Sequence, residues 1–475
     1  MRWSAVIGIS VALGAASAWA QTPSVASLSG DWSGELTPGG KSIRIVFRVT
    51  GTPGSWSATL DSPDQGAAGI PVASVSETAG GDVAFTVAIA HAAYTGHISP
   101  DGTTVSGQWS QGGLSLPLTL HHSAKVAAAR RRPQTPIKPY PYREEEVAYD
   151  NLIGHSHLTG TLTLPRGAGP FPVALMITGS GLQDRDESVF GHHPFLIWAD
   201  YLTRRGVAVL RVDDRTIGGS TGDVKNATTA EFATDVEAGI AYLKSRPDID
   251  KHRIGLIGHS EGGVIAPIVA AQDATVAFIV LLAGSGEDGE TLMLHQKRLI
   301  ENAMGVPPAV EEQGNANMRA LEDAVKNAPD QATAEARVEA TWRSILAAKG
   351  KPADTLMPAQ LHALTTPWMR YFLSYDPRPT LARVHCPVLA VDGSKDLQVP
   401  AAENLAGIKA ALRNNPDVTT IELPGLNHLL QTAKTGLPNE YATIEETVSP
   451  VALKTVGDWI VAHVVTPARI ERPAG

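Results

Sequence analysis

Residues 254–264 read Ile-Gly-Leu-Ile-Gly-His-Ser-Glu-Gly-Gly-Val. An apolar run is followed at once by a serine among glycines, and then by a sequence that is compatible with a helix. A strand that turns abruptly into a helix leaves no room for side chains beside the serine, so glycines must flank it. The stretch therefore predicts a strand–nucleophile–helix turn that presents Ser260 at the edge of a sheet.

The same G-x-S-x-G pattern occurs a second time, at residues 218–222 around Ser220. That serine follows the polar turn 213–216 and precedes Asp223, so neither a strand nor a helix is predicted beside it. Ser220 is therefore interpreted as a loop residue. At the first match, Pro267 falls in the second turn of the proposed helix and removes one backbone hydrogen bond.

Short apolar runs alternate with helical patterns on both sides of Ser260. The runs predicted to be strands are 158–164, 173–178, 207–212, 254–257, 278–282, 388–391 and 420–423. Continuous apolar runs of this length suit strands that are buried on both faces of a parallel sheet. One intervening helix is predicted to begin at the capping box formed by Thr228 and Glu231. The alternation predicts a doubly wound, mostly parallel α/β sheet over residues 147–475.

One interval of this region has no strand pattern. Between Gly286 and Pro379 the chain shows helical stretches, at 290–304, 308–327 and 332–349. Because the interval separates two predicted strands, it predicts a helical cap, at about 286–379, over the carboxyl edge of the sheet, where such sheets bind ligands. Its large apolar side chains are interpreted as cap core rather than pocket wall: Met293, Trp342, Trp368 and Phe372.

Two further side chains complete a catalytic triad in the chain order Ser, acid, His that a nucleophile elbow requires. Asp396 and His428 each follow a predicted strand, so both leave the sheet at the same edge as Ser260. A serine hydroxyl needs a base to take its proton, and that base must be held in the right tautomer. His428 is therefore predicted to be the general base and Asp396 the orienting acid. Asp392 is a rival for the acid.

Backbone N–H groups must also face the position where negative charge develops. One is predicted to come from Glu261, the residue after the nucleophile. The other is predicted to come from Ser180 or Gly181, in the loop after the run 173–178. The adjacent residues 183–186 are interpreted as a hydrogen-bonded brace.

The first part of the chain predicts an all-β domain, a small barrel or sandwich, over residues 21–122. Short alternating runs recur there about every ten residues: 31–36, 43–49, 56–60, 83–87, 94–98, 105–109 and 114–120. Gly, Pro, Asp and Ser separate them, as is typical of antiparallel strands. Residues 123–146 are rich in proline and carry the basic cluster 130–132, so they are interpreted as a solvated linker.

The first twenty residues predict a signal peptide. Arg2 precedes the apolar run 6–13, and Ala18-Trp19-Ala20 forms an A-x-A site before Gln21. The run is too short to span a bilayer, and no later stretch is long and apolar enough to do so. The sequence therefore predicts an exported chain, periplasmic or secreted.

The net charge and the arrangement of the histidines limit which classes of partner and ligand are expected. The formal net charge of -9 gives no support for a nucleic-acid partner. The histidine pairs 121–122 and 192–193 are adjacent in the chain and cannot place two metal ligands on one face, so no metal and no cofactor is predicted. Cys386 is the single cysteine and is interpreted as a small buried hydrophobe.

Together these motifs resemble those of bacterial α/β-hydrolases of the serine aminopeptidase or dienelactone-hydrolase-like type. The resemblance covers about residues 147–465 and rests on 158–162, 178–186, 258–263, 392–399 and 426–428. In that family the positions that match Ser260, Asp396 and His428 form the triad beneath a helical lid, and a β-rich module precedes such hydrolases. One departure is Thr216, where similar proteins often have glycine.

The primary expectation is hydrolysis of small-molecule carboxylic esters through an acyl-enzyme. One alternative is an exopeptidase that cleaves short peptides with the same triad. It would need acidic cap residues to pair with a substrate ammonium, and Glu301, Glu311 and Glu312 are the candidates. The other alternative is a binding protein that uses the β-domain on cell-wall or lipid material.

Overall fold

A computed structural model describes residues 28–37, 43–62, 67–78, 80–87, 92–111, 114–123, 132–326, 328–352 and 359–465. The predicted signal peptide, residues 1–20, lies outside them. Within the described ranges, none of the helices combines the length and the apolar content needed to span a bilayer.

The first of two sheets is entirely antiparallel. Its strands are β1 (Gly30–Leu36), β2 (Ile43–Thr52), β3 (Ser55–Ser62), β4 (Ala67–Pro71), β5 (Ser74–Glu77), β6 (Asp82–Val87), β7 (Ala92–Ile98), β8 (Thr104–Gln111) and β9 (Leu114–Ser123). Their order is β4-β3-β2-β1-β9-β8-β7-β6-β5. The predicted runs are all strands, but β4 and β5 were missed. Both are short edge strands, and β4 contains Gly69 and Pro71, which are tolerated at an edge and weaken any strand pattern.

Aromatic side chains form the core of this first sheet. Phe47 and Phe85 stack with ring centroids 4.3 Å apart. The buried hydroxyl of Tyr94 donates to the carbonyl oxygens of Val105 and Leu118, at 2.9 and 3.1 Å. The alternation seen in the sequence thus reflects one face packed inward and one face in water, and the predicted all-β class is confirmed.

The second sheet is mixed and mostly parallel. Its strands are β10 (Arg143–Asn151), β11 (Ser156–Leu164), β12 (Phe171–Ile177), β13 (Ala208–Val212), β14 (Ile249–His259), β15 (Val276–Leu282), β16 (Val388–Gly393) and β17 (Val418–Leu423). The order is β10-β11-β13-β12-β14-β15-β16-β17. β11 pairs antiparallel with β10 and β13, and the remaining pairs are parallel. The predicted α/β-hydrolase class is confirmed, and β10 begins within the segment predicted to be a linker.

Helices cover both faces of this sheet and also form a cap. They are α1 (Pro194–Thr203), α2 (Thr229–Ser245), α3 (Gly262–Ala270), α4 (Gly289–Ala303), α5 (Pro308–Lys326), α6 (Gln331–Ala348), α7 (Ala359–Ala363), α8 (Pro367–Ser374), α9 (Arg378–Leu381), α10 (Ala401–Ala411) and α11 (Pro450–Val464), with a 3-10 helix at Pro438–Thr443. Successive strand residues face opposite cores: Leu256 packs toward α2, α3 and α10, and Ile257 packs toward α1 and α11. This two-sided burial explains the unbroken apolar runs. Half-buried Cys386 packs against the first of these cores.

Helices α4 to α8 lie between β15 and β16 in the chain, where the helical cap was predicted. Their side chains form a separate core that includes Leu321, Val325, Val338 and Ile345, with Trp342 packed against it. The cap therefore packs as a unit of its own above the sheet.

Arg132 fixes the segment that leads into the second sheet. Its guanidinium donates to the carbonyl oxygens of Ile444 at 2.8 Å, Phe190 at 2.7 Å and Ala442 at 3.3 Å. Gln134 Nε2 donates to the carbonyl oxygen of Val448 at 2.6 Å. The interpretation of the basic cluster as a solvated tether is therefore wrong for Arg132, because a guanidinium can satisfy several loop carbonyls at once. Residues 130 and 131 lie outside the described ranges.

Candidate active site

Ser260 lies in the sharp turn between β14 and α3. Its backbone has a φ of 53°, in the left-handed region that non-glycine residues rarely adopt. A Cβ atom added at Gly258 would lie 1.9 Å from the carbonyl oxygen of Gly262, and one added at Gly262 would lie 2.2 Å from that of Ile177. No side chain fits at either glycine, so the turn needs both of them. Helix α3 continues through Pro267 despite the hydrogen bond lost there.

His428 and Asp396 meet at the same edge of the sheet. The Nδ1 atom of His428 lies 2.6 Å from Oδ2 of Asp396, and both residues are buried. The other oxygen, Oδ1, accepts the backbone N–H groups of Gln398 at 2.7 Å and Val399 at 2.8 Å. The carboxylate is thus fixed from two sides. Because Nδ1 is engaged, Nε2 is the nitrogen left to accept a proton.

Asp392, the rival acid, is placed differently. Its Oδ1 accepts the amide of Gly393 at 2.7 Å. Burial, and then the charge of Asp396, raise the pKa of Asp392 well above its usual range. Asp396 is the carboxyl that contacts Nδ1 of His428, so the geometry favours Asp396 as the acid.

A cavity of about 500 Å³ lies between the cap and the carboxyl edge of the sheet, and both Ser260 and His428 line it. Ser180 and Glu261 line it too, whereas Gly181 lines a separate cavity of about 60 Å³. Among the described residues, no backbone carbonyl accepts the amide of Ser180 or Glu261. Of the two predicted loop donors, Ser180 is therefore the better placed to face a substrate oxyanion.

The cap contributes the aromatic wall of the large cavity. Trp368 and Phe372 stack with ring centroids 5.6 Å apart, and Tyr371 and Tyr375 stack at 5.3 Å. All four residues line the cavity, as does Met293. Met293 and Phe372 pack against the cap core as predicted and also line the cavity, so core and pocket wall are not exclusive for them.

The lining of the large cavity is acidic. The described lining residues include three glutamates, Glu187, Glu261 and Glu287, but neither lysine nor arginine. Glu287 Oε2 lies 3.1 Å from Nδ1 of His295. Glu301, Glu311 and Glu312 do not line the cavity, and Glu301 pairs with Lys297 at 2.6 Å. The structure therefore does not support these three glutamates as ligands of a substrate ammonium.

Glu261 connects the nucleophile turn to the cap. Its Oε1 accepts the hydroxyl of Thr229 and the indole N–H of Trp368, both at 2.7 Å. Burial raises the pKa of the Glu261 carboxyl. The residue predicted to donate its amide to the oxyanion thus also holds cap helix α8 with its side chain.

Sequence reasoning missed two buried residues beside the triad, Glu187 and His259. Glu187 Oε1 accepts the amide of Gly179 at 2.7 Å and lies 2.9 Å from Nδ1 of His259. His259 Nε2 lies 3.0 Å from the carbonyl oxygen of His428. His259 occupies a variable position of the elbow motif, and Glu187 directly follows the predicted brace, so neither carried a signal of its own.

The predicted brace at residues 183–186 is held by ion pairs. Arg185 Nη2 lies 2.7 Å from Oδ2 of Asp213. The amide of Gln183 donates to Asp214 at 2.8 Å, and burial raises the pKa of Asp214 to about 7. Thr216, the departure from the family pattern, adopts a φ of 71°, a left-handed conformation that glycine adopts without strain.

Ser220 is a buried structural residue. Its hydroxyl donates to the carbonyl oxygen of Asp213 and accepts the amide of Thr159, each at 2.9 Å. Because both bonds remain inside the fold, the second G-x-S-x-G match has no access to substrate.

Residues 154–422 match the family described as X-Pro dipeptidyl-peptidase (S15 family), more than half of the 475-residue chain. Esterase EstD of Thermotoga maritima is 25% identical over 328 residues, which are 68% of this chain and 70% of that protein. Esterase FrsA of Klebsiella pneumoniae is 30% identical over 115 residues, 24% of this chain, and the match spans 25% of that protein's length.

Solved structures similar to this chain include two hydrolases. The α/β hydrolase GrgF from Penicillium sp. sh18 has a TM-score of 0.43 and 17% identity, covering 68% of this chain and 100% of that one. The dienelactone hydrolase from Anabaena variabilis has a TM-score of 0.37 and 17% identity, covering 68% and 99%.

Proposed function

Because the chain belongs to the X-Pro dipeptidyl-peptidase (S15) family, we propose that it is a serine hydrolase with Ser260 as nucleophile, His428 as general base and Asp396 as orienting acid. The resemblance inferred from the motifs agrees with this family. The observation that carries the proposal is the buried 2.6 Å pair of His428 and Asp396 at the cavity that Ser260 also lines. A base held by an acid, on the same cavity as a serine in a strained turn, provides the groups that acyl transfer requires.

The reaction proceeds in two half-reactions. His428 Nε2 takes the proton of the Ser260 hydroxyl as its oxygen attacks the substrate carbonyl carbon. The amides of Glu261 and Ser180 stabilise the oxyanion of the tetrahedral intermediate. The bond to the leaving oxygen then breaks, and His428 gives its proton to the departing alcohol. Water, deprotonated by His428, attacks the acyl-enzyme in the same way, and the carboxylic acid leaves while Ser260 regains its proton.

Two observations support carboxylic esters as the substrates. The cavity has aromatic and apolar walls from the cap, which suit an apolar acyl or alcohol group. The relatives EstD and FrsA are both esterases by name. A short-peptide substrate is the second candidate, because the family's name is that of a peptidase and Glu287 offers a carboxylate to a substrate ammonium.

The carboxylate of Glu287 in the cavity lining predicts selection by substrate charge. At equal chain length, a p-nitrophenyl ester with a neutral acyl group is expected to have a kcat/KM at least about 10-fold higher than one with a terminal carboxylate, because two like charges a few ångströms apart repel by on the order of 1–2 kcal/mol at a protein surface. Initial rates on p-nitrophenyl butyrate and the succinyl monoester measure this.

The same assay separates the two substrate classes. Aminoacyl p-nitroanilides are expected to react at least about 100-fold more slowly than the neutral ester, since an amide has the poorer leaving group. Faster cleavage of the nitroanilide, lost in Glu287→Gln but kept in Glu290→Gln, would favour the peptidase. Glu290 is the matched control because it pairs with Lys326, at 2.6 Å, and does not line the cavity.

Export is also a proposal. The basic start, apolar run and A-x-A site support cleavage after Ala20. Expressed with its full sequence in a Gram-negative host, the protein is expected in the periplasmic fraction with Gln21 as its first residue, by intact-mass measurement. A cytoplasmic protein that retains residues 1–20 would contradict this.

A further inference from the structure

Two segments meet beside Gly179, the connection between β12 and α1 and the nucleophile turn. A Cβ atom added there would lie 3.2 Å from Cβ of Ser260, 3.3 Å from Oε1 of Glu187 and 3.4 Å from Nδ1 of His259. Glu187 and His259 are both buried, with side chains 6% and 9% exposed. A carboxylate and an imidazole that have no place in the triad therefore lie directly against the nucleophile turn.

The hydrogen bonds of this pair reach each part of the site. A single oxygen of Glu187, Oε1, accepts both the amide of Gly179 and Nδ1 of His259. Gly179 directly precedes Ser180, the proposed oxyanion donor. His259 Nε2 faces the carbonyl oxygen of His428 at 3.0 Å, and the two imidazole rings are 4.9 Å apart. Acceptors thus lie at both nitrogens of His259. An imidazole donates from both nitrogens only when it is protonated.

We propose that Glu187 and His259 are positioning residues, a buried carboxylate–imidazolium pair that aligns the oxyanion loop and the base with Ser260. This inference rests on the proposed function. Glu187 is itself held at a φ of 52°, a strained conformation that surrounding contacts must maintain. Glu187 lines the cavity, but the pair is inferred to act through the loop that carries Ser180 and through His428.

The proposal predicts an alkaline loss of activity. Burial alone would lower the pKa of His259, but nearby acceptors and negative charges, Glu187 foremost, together outweigh burial and raise that pKa to about 8. The other groups that act on His259 are the carbonyl of His428 and the more distant charge of Asp396. The cation is present below its raised pKa and is lost above it. A neutral imidazole donates from one nitrogen only, so kcat is expected to fall as the pH rises through about 8.

The experiment compares Glu187→Gln, His259→Phe and the double variant with wild type on a neutral p-nitrophenyl ester, from pH 6 to 9.5. Each single variant is expected to lose about 10- to 100-fold in kcat with KM changed less than about 3-fold, because alignment acts in the transition state. The kcat of the double variant is expected to be no lower than that of the less active single variant. In Glu187→Gln the alkaline limb is expected to move down by about one pH unit or more, since burial then dominates.

Asp150→Asn is the matched control. It breaks a carboxylate–imidazole pair of similar geometry, Asp150 with His157 at 2.6 Å, whose side chains are 66% and 47% exposed. Its kcat and pH profile are expected to equal those of wild type. Circular dichroism and thermal melting of each variant show whether it has folded.

Several results would overturn the positioning role. The first is a wild-type pH profile of kcat that has no alkaline limb near pH 8. The second is a wild-type kcat in the single variants. The third is a loss of kcat in the double variant that equals the product of the two single losses. If the wild type hydrolyses no ester, the proposed function fails and the positioning role fails with it. If the wild type is active and the variants match it, only the positioning role fails.

Discussion

Ser260→Ala is expected to lower kcat for ester hydrolysis by at least about 10⁴-fold, because the acyl-enzyme cannot form without the hydroxyl. The φ of 53° and the two obligatory glycines hold this side chain at the sheet edge, where no other described serine is placed in a turn of this kind. Initial rates on p-nitrophenyl butyrate measure the loss. Intact mass after treatment with a fluorophosphonate is expected to show one added group on wild type and none on the variant.

Ser220→Ala is the control for this substitution, since Ser220 sits in the other G-x-S-x-G match but bonds only within the fold. It is expected to keep its fluorophosphonate label and most of its activity, with a modest loss of stability. Labelling that persists in Ser260→Ala, or disappears in Ser220→Ala, would contradict the assignment of the nucleophile.

Asp396→Asn is expected to lower kcat by about 10³- to 10⁴-fold without unfolding the protein. The amides of Gln398 and Val399 both donate to Oδ1, so the asparagine would keep its oxygen there and turn its NH₂ group toward His428. Nδ1 of His428 would then accept, which forces the proton onto Nε2. A base that already carries its proton cannot take one from Ser260. Steady-state kinetics at pH 7, with melting temperature as the fold check, measure the effect.

Asp392→Asn separates the two aspartates. Burial raises the pKa of Asp392 and so disfavours its charged form, and an amide of the same shape is therefore expected to leave kcat within about 3-fold of wild type. A large loss in Asp392→Asn together with a small one in Asp396→Asn would transfer the role of the acid to Asp392.

The sequence was informative where function depends on local pattern. Ser260 and Asp396 follow apolar strands buried on both faces, and His428 follows the half-buried edge strand β17, whose run is partly β-branched. Parallel strands bring their carboxyl ends to one edge, and at that edge His428 pairs with Asp396 while Ser260 and His428 line one cavity. The capping box at Thr228 and Glu231 also forms, because it depends on residues only three apart.

The rest depends on contacts between distant segments. Glu187 and His259 are 72 positions apart, and His259 and His428 are 169 apart, so no window of sequence contains their hydrogen bonds. Arg132 binds the carbonyl of Ile444, 312 positions away. Trp368 and Phe372 follow a helical period that serves the cap core and the cavity wall alike, because an amphipathic face does not reveal what covers it.

The double engagement of Glu261 has a consequence for altering this protein. The indole of Trp368, in the roof of the cavity, donates to the carboxyl of the same residue whose amide is proposed to stabilise the oxyanion. Substitutions in this roof that admit bulkier substrates would therefore change the rate of bond cleavage as well as substrate binding. To broaden the substrate range without lowering kcat, substitutions are better made first at the cavity-lining residues of helix α4.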